Sequence, residues 1–154
     1  MSVTVAPHSP TDPELHLLMT RHTEAMHADT PPESIHMMDA SQLAAPGIWF
    51  YVMRDAGKPV GMGAFKRIDG GHAEIKSMHV LSEMRGRGLA RVLLTHLMDA
   101  AAAEGFTRLS LETGAQDSFA PARQLYLAAG FGFCPPFEGY HEDPMSVFMT
   151  KYLA

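Results

Sequence analysis

A chain of 154 residues with a single cysteine, Cys134, cannot close an internal disulfide. That suits a reducing compartment and predicts a cytoplasmic protein. No base accompanies Cys134 in a motif, so it reads as a small buried hydrophobe rather than a nucleophile. Long apolar runs are missing too: none approaches the ~20 residues needed to span a bilayer. The opening segment, MSVTVAPHSPTDPE, has no basic stretch followed by an apolar one, so nothing marks it for secretion or a membrane. Positive charge is in short supply. Twelve Lys and Arg against 17 Asp and Glu leave a net charge of −5, and neither nucleic acid nor an anionic membrane is an expected partner without a basic face. Nine histidines are present, yet they form no H-E-x-x-H pattern and no Cys/His cluster, so no metal is expected. His22 and His96 fall within helical apolar patterns and read as packing residues.

What remains is the composition of an ordinary globular protein, 46% hydrophobic and 19% charged, expected to form one domain over residues 1–154. Its most telling stretch is 74–90, EIKSMHVLSEMRGRGLA. Ile75, Met78 and Val80 give a strand its apolar content. Arg85-Gly86-Arg87-Gly88-Leu89-Ala90 then opens a helix whose apolar positions (Leu89, Val92, Leu93, Leu97, Ala100) recur every three or four residues. A helix start carries unpaired N–H groups and about half a positive charge, and therefore attracts phosphate. Gly86 and Gly88 would let a ligand reach the backbone, and Arg85 and Arg87 add positive charge. Neither G-x-x-x-x-G-K-[ST] nor G-x-G-x-x-G occurs here, so this is a phosphate cradle of another kind.

Residues 85–90 fit the [QR]-x-x-G-x-[GA] signature of the GNAT superfamily of acetyl-CoA-dependent N-acetyltransferases, which this chain resembles. Downstream, Ala122, Leu125, Tyr126, Gly130 and Phe131 are similar to the family's A-x-x-L-Y-x-x-x-G-F element. One helix and one strand lie between the two motifs, as in the family. The resemblance covers about residues 48–153, and LETG at 111–114, FAPARQLY at 119–126 and EDPMSVFMTK at 142–151 resemble the small bacterial YsnE-like branch. One departure stands out: many members carry Asn at the position of Phe119, so a cofactor contact made by that amide would fall to Ser118 or to a backbone group.

The order of predicted elements agrees. Strands are expected at Val3–Ala6, Ile48–Arg54, Pro59–Ile68 and 72–80, with a hairpin turn at Asp55-Ala56-Gly57-Lys58. Helices are expected at Asp12–Ala28, Asp39–Ala44, Gly86–Glu104 and Phe119–Ala129, with strands at Thr107–Thr113, Phe131–Cys134 and Met145–Lys151. Antiparallel strands first and a strand–helix–strand unit after them give an α+β fold with a mixed sheet. The resemblance implies an α/β/α sandwich whose central strands splay apart to hold the cofactor.

It also implies site roles. Acetyl-CoA would lay its pyrophosphate on residues 85–90 and its pantetheine arm along the strand at Met78, His79 and Val80, mainly through main-chain atoms. An alkylamine at neutral pH is protonated, and freeing its lone pair costs about 4.6 kcal/mol (~3.4 pKa units), so a general base is wanted. Glu74 stands eleven positions before Arg85, the offset of the basic glutamate in histone-acetylating members. Glu74 and Lys76 share a strand face, however, and a Glu–Lys pair would make a poor base; deprotonation through water is the rival, with His79 and His36 in reserve. Tyr126 occupies the position of the phenol that stabilises the departing thiolate. The loops Thr30–Met38 and Pro135–Asp143 would flank the acceptor, with Ser34, His36 and Tyr140 as candidate contacts. The expected activity is transfer of acetyl from acetyl-CoA to a primary amine of a small molecule or peptide by direct attack in a ternary complex. The alternative is a catalytically silent CoA-binding domain. Dimers are common in the family, and a homodimer is compatible with the sequence.

Overall fold

A computed structural model describes residues 3–153. Its strands are β1 (Val3–Pro7), β2 (Ile48–Asp55), β3 (Lys58–Arg67), β4 (His72–Val80), β5 (Arg108–Gly114), β6 (Gly132–Cys134) and β7 (Ser146–Tyr152). Its helices are α1 (His16–Ala28), α2 (Ala40–Leu43), α3 (Leu89–Ala103) and α4 (Ala120–Ala128). The seven strands form one mixed sheet in the order β1-β2-β3-β4-β5-β7-β6. All neighbours are antiparallel except β4 and β5, which α3 connects in parallel.

Local chemistry explains the boundaries. Ala56 (φ 51°) and Gly57 (φ 84°) both adopt positive φ, as a tight hairpin between right-twisted strands demands. Asp39 caps α2 through its side chain, and Gln42 returns the bond to the Asp39 N–H, a reciprocal pairing that stabilises a helix too short to persist alone. The expected helix at 12–28 begins as a tighter turn at Pro13–Leu15, because Asp12 accepts from the Glu14 N–H and Pro13 has none to offer. The expected helix at 86 starts at Leu89. Gly88 precedes it in the left-handed conformation (φ 72°), which only glycine adopts without strain.

Alternation along the strands divides the core between the two faces of the sheet. Phe50, Val52 and Ala64 face Leu15 and Leu18 on the α1 side, whereas Tyr51 and Phe65 pack with Leu94, Leu97 and Ala101 of α3. Helices therefore cover both faces of a central sheet, the α+β sandwich expected. None of the described helices is long and apolar enough to cross a membrane.

The feature that positions the site is a break in that sheet. β4 and β5 pair only at His72↔Arg108, Ala73↔Leu109 and Glu74↔Ser110. Beyond Glu74, β4 stays with β3 as far as Val80 while β5 follows β7 to Gly114. The strands part, and the expected central splay is present.

Candidate active site

β4 does not run regularly past the parting point. Met62 pairs with His79 but Ala64 pairs with Lys76, so Gly63 alone faces Ser77 and Met78. One extra residue on β4 makes a bulge, and Ser77 takes φ 55° to accommodate it, a strained conformation for a non-glycine residue. The bulge re-aims side chains at the point where the strand leaves its partner. The Ser77 hydroxyl is buried there without a hydrogen-bond partner among the described residues, a costly arrangement that points to a missing ligand or solvent.

A cleft of ≈ 170 Å³ occupies the splay. Its walls are residues 74–79 of β4 and 111–113 of β5, with Phe119 and Tyr126 from the α4 segment; His22 of α1 and His36 of the following loop close the other side. Tyr126 is buried, and its hydroxyl lies 3.9 Å from Met78 Sδ. Burial pushes the phenol up to about 12, because a phenolate there would lack solvation.

The cradle lies at the start of α3. Gly88 supplies no side-chain cap, so the first N–H groups of the helix have no side-chain acceptor. A Cβ at Gly86 or Gly88 would meet nothing within 4 Å, so both glycines leave open space. Leu89 is itself a core residue, 2% exposed, and can serve a ligand only through its backbone. The two arginines differ. Arg87 is held by Asp55 at 2.7 Å, while the Arg85 guanidinium makes no hydrogen bond or ion pair among the described residues. This donor set fits a pyrophosphate: free N–H groups, no Cβ in the way, and one uncommitted guanidinium.

On the α1 side of the cleft a polar cluster links four segments. Tyr140 donates to Glu74 Oε2 (2.5 Å), and Lys76 Nζ lies 3.2 Å from the same oxygen. Lys76 also donates to the Tyr140 hydroxyl (2.8 Å) and to the His36 carbonyl (3.1 Å). The His36 ring meets that of Tyr140 edge-on at 5.1 Å, and its Nδ1 stands 3.7 Å from Glu112 Oε1. Burial raises the pKa of Glu112, with Ser146, His36 and Lys76 opposing the shift. Glu74 is 3% exposed, and its carboxylate is already engaged by two donors. His79 of the β4 wall and His22 of the side facing it meet edge-on at 5.3 Å within the cleft lining. Desolvation depresses both imidazoles, His22 to about 4.

The structure thus gathers Glu74, Met78, His79, Tyr126 and His36 around one cleft and puts residues 85–90 at the start of α3. Ser34 and Tyr140, expected as acceptor contacts, are not among the residues that line the cleft, and neither hydroxyl is idle: Ser34 donates to Asp143 (2.6 Å) and Tyr140 to Glu74. Ser118 is not available to replace the missing Asn at 119, because its hydroxyl donates to Asp29 at 2.6 Å. Phe119 instead fills the space over Gly114, where a Cβ would run into its ring. Sequence reasoning missed Ser77 and Glu112. The bulge has no Gly or Pro to announce it, whereas Glu112 was marked by strand alternation that sets it on the opposite face from Leu109 and Leu111. Away from the cleft, His8, Asp12 and Glu14 approach one another within 4.8 Å, but Asp12 is bonded to His8 and Glu14 to Arg54, both at 2.7 Å. Cys134 is half-buried, and desolvation pushes its thiol up, which makes it a weak nucleophile.

The splayed mixed sheet with an open helix start beside it is the architecture expected from the GNAT resemblance. The family model described as Acetyltransferase (GNAT) family matches residues 15–133, and the chain belongs to that family. YsnE of Bacillus subtilis, named an N-acetyltransferase and itself uncharacterised, is 44% identical over 136 residues, 88% of this chain and 90% of YsnE. Among solved structures, a Klebsiella pneumoniae protein described as an acyl-CoA N-acyltransferase superposes with a TM-score of 0.80 at 28% identity, over 99% of this chain and 98% of that one. YncA of Salmonella typhimurium, solved with acetyl-CoA, matches with a TM-score of 0.71 at 19% identity over 100% of this chain and 95% of its own. The protein is an acyltransferase of a fold that uses acetyl-CoA.

Proposed function

We propose that the protein transfers an acetyl group from acetyl-CoA to a primary amine by direct attack in a ternary complex. The observation that carries this reading is the parting of β4 from β5, with Tyr126 at the back of the gap and the uncapped start of α3 beyond its β4 wall. Anchoring a pyrophosphate on residues 85–90 would place the distant thioester beside Met78, His79 and Val80, where positioning alone contributes much of the rate. The amine's lone pair forms the new C–N bond, the C–S bond breaks, and the electron pair leaves on sulfur. Taking an ammonium to an amide and a thiol releases one proton overall.

Tyr126 stabilises the leaving sulfur. Burial raises its phenol to about 12, which disfavours giving the proton away outright. Tyr126 therefore gives a hydrogen bond and keeps its proton, an electrostatic role that a dry site strengthens. Proton removal from the amine belongs to the acidic wall. Glu74 is the base on this reading and accepts through water, since Lys76 and Tyr140 already contact its carboxylate.

Thiol release from acetyl-CoA, measured with a panel of amines, tests the reaction. Tyr126→Phe should turn over about 10–10³-fold more slowly, within the range of proton-transfer and oxyanion contributions, with little change in melting temperature. If no amine in the panel elicits thiol release, the silent CoA-binding domain is favoured. A Tyr126→Phe enzyme as fast as wild type would make the tyrosine a packing residue.

A further inference from the structure

The segment 29–38 is fastened across the acceptor side of the splay at both ends. At one end Gln116 donates to the Asp29 carbonyl (2.7 Å) and to Thr30 (3.0 Å), while Ser118 holds the Asp29 carboxylate. At the other end Ser34 holds Asp143, and the His36 carbonyl sits on Lys76. Thr30 and Ser34 are both buried. The segment is thus a roof tied to the β5–α4 connection on one side and to the β6–β7 loop on the other. A peptide lying across the acceptor side would have to break the Ser34–Asp143 tie. The space beneath is also small: ≈ 170 Å³, to be shared with the acetyl end of the cofactor, against about 300–1,000 Å³ for sites that hold drug-sized ligands.

The charge beneath this roof is unbalanced. Glu74 and Glu112 face one ammonium, that of Lys76, whose donors are directed at Glu74, Tyr140 and the His36 carbonyl. No Lys or Arg among the described residues forms an ion pair with Glu112; its nearest basic group, His36 Nδ1, is beyond hydrogen-bond reach at 3.7 Å and has no hydrogen-bond partner of its own. The Glu112 side chain is 12% exposed, and desolvation disfavours its charged form, so a cation brought against it would be favourable.

Building on acetyl transfer as proposed above, we infer that the acceptor is a compact amine, cationic in solution, whose ammonium lodges against Glu112 beneath the roof, and that the site does not thread a peptide. The groups facing Glu112 fit this assignment: His36 from the roof, Lys76 and Glu74 from β4, and Ser146 from β7. An ammonium there would complete the pairing that Lys76 cannot, and it would bring the nitrogen to the acid-lined side of the bulge.

The experiment compares 1,4-diaminobutane, 2-phenylethylamine and a Gly/Ser hexapeptide with a free α-amine as acceptors. Wild type should show kcat/KM about tenfold or more higher for a small amine than for the hexapeptide. Glu112→Gln should raise the small-amine KM about tenfold or more, the usual weight of a charge-assisted bond, and leave the KM for acetyl-CoA unchanged. The small amine should raise the melting temperature of wild type and not that of Glu112→Gln, a readout independent of turnover. Ser34→Ala, which cuts the tie to Asp143, should narrow the gap by admitting the hexapeptide. A hexapeptide that is acetylated as fast as the small amines by wild type overturns the inference while leaving acetyl transfer standing. So does an unchanged amine KM in a folded Glu112→Gln protein. If no amine of any size releases thiol, acetyl transfer itself fails, and this inference with it.

Discussion

Two polar clusters lie along the same pair of strands and have opposite consequences. At the end where β4 and β5 pair, His72 Nε2 meets Ser110 Oγ at 2.6 Å, Ser110 meets Thr150 at 2.8 Å, and Arg108 donates to Thr150 at 2.8 Å. Every one of those groups has a neighbour in the cluster, and Ser110 is fully buried. At the other end Glu74, Lys76, Tyr140, His36 and Glu112 form a cluster that is only partly matched, with buried polar atoms left over at His36 and Ser77. A matched network makes a fixed floor; an unmatched one beside a cleft makes a place for a ligand. Glu74 stands at the boundary, paired with Ser110 in the sheet and with Lys76 across the strand face.

The sharpest way to break this contrast is Lys76→Met. Among the described residues it removes the one lysine ammonium facing buried Glu74 and half-buried Glu112, and it leaves Tyr140 and the His36 carbonyl without that donor. Losing one partner of a buried ion pair costs about 3–5 kcal/mol, so the urea midpoint should fall steeply. A Lys76→Met protein as stable as wild type would show that solvent enters the cluster freely, and the cleft would be wet rather than charge-balanced.

A smaller effect is expected from pH. His22, 8% exposed, has its imidazole pushed down to about 4 from an ordinary 6.5, chiefly by desolvation and secondly by His79. The unfolded chain then binds more protons than the native one between those values, so stability rises with pH there. The contribution is complete above about pH 6.5 and lost as pH falls through about 4, at most roughly 3 kcal/mol for ~2.5 units. His22→Gln should flatten the dependence of unfolding free energy on pH between 4.5 and 7. Equal losses in variant and wild type would mean that His22 is hydrated and does not belong to the dry wall.

The two clusters also differ in how far the sequence disclosed them. Strand alternation and the Ala56-Gly57 turn were legible because each is a local rule of backbone or period, whereas left-handed Gly88 was read inside a helix that begins only at Leu89. The motif residues were legible too, although Arg87 turns out to be committed to Asp55, a partner 32 positions away. What could not be read were the pairings that build the cleft. Lys76 meets Tyr140 across 64 positions and Ser34 meets Asp143 across 109, distances at which no period operates. The Ser77 bulge was hidden for another reason: its strain is imposed by the register of β3 against β4, and Lys76-Ser77-Met78 carries no residue that favours positive φ. The Glu74–Lys76 contact was the exception, since two residues on one strand face are neighbours whatever the fold.

Ser110→Ala has the smallest expected effect and separates the two ends most cleanly. The hydroxyl bonds both His72 and Thr150, and its removal leaves buried polar atoms without that partner, a cost of about 1–3 kcal/mol. The backbone pairing of Glu74 with Ser110 does not involve the hydroxyl, so β4 and β5 should still part at the same residue. Arg108 keeps Thr150, and Thr150 keeps the Leu109 carbonyl at 3.2 Å, which limits the damage to the His72 side. Turnover with a good amine should therefore match wild type while the urea midpoint drops. If kcat falls as well, with the protein still folded at the assay temperature, the closed end would be setting the geometry of the open one. The hydroxyl ladder through Ser110 would then be a positioning element for Glu74 rather than a floor.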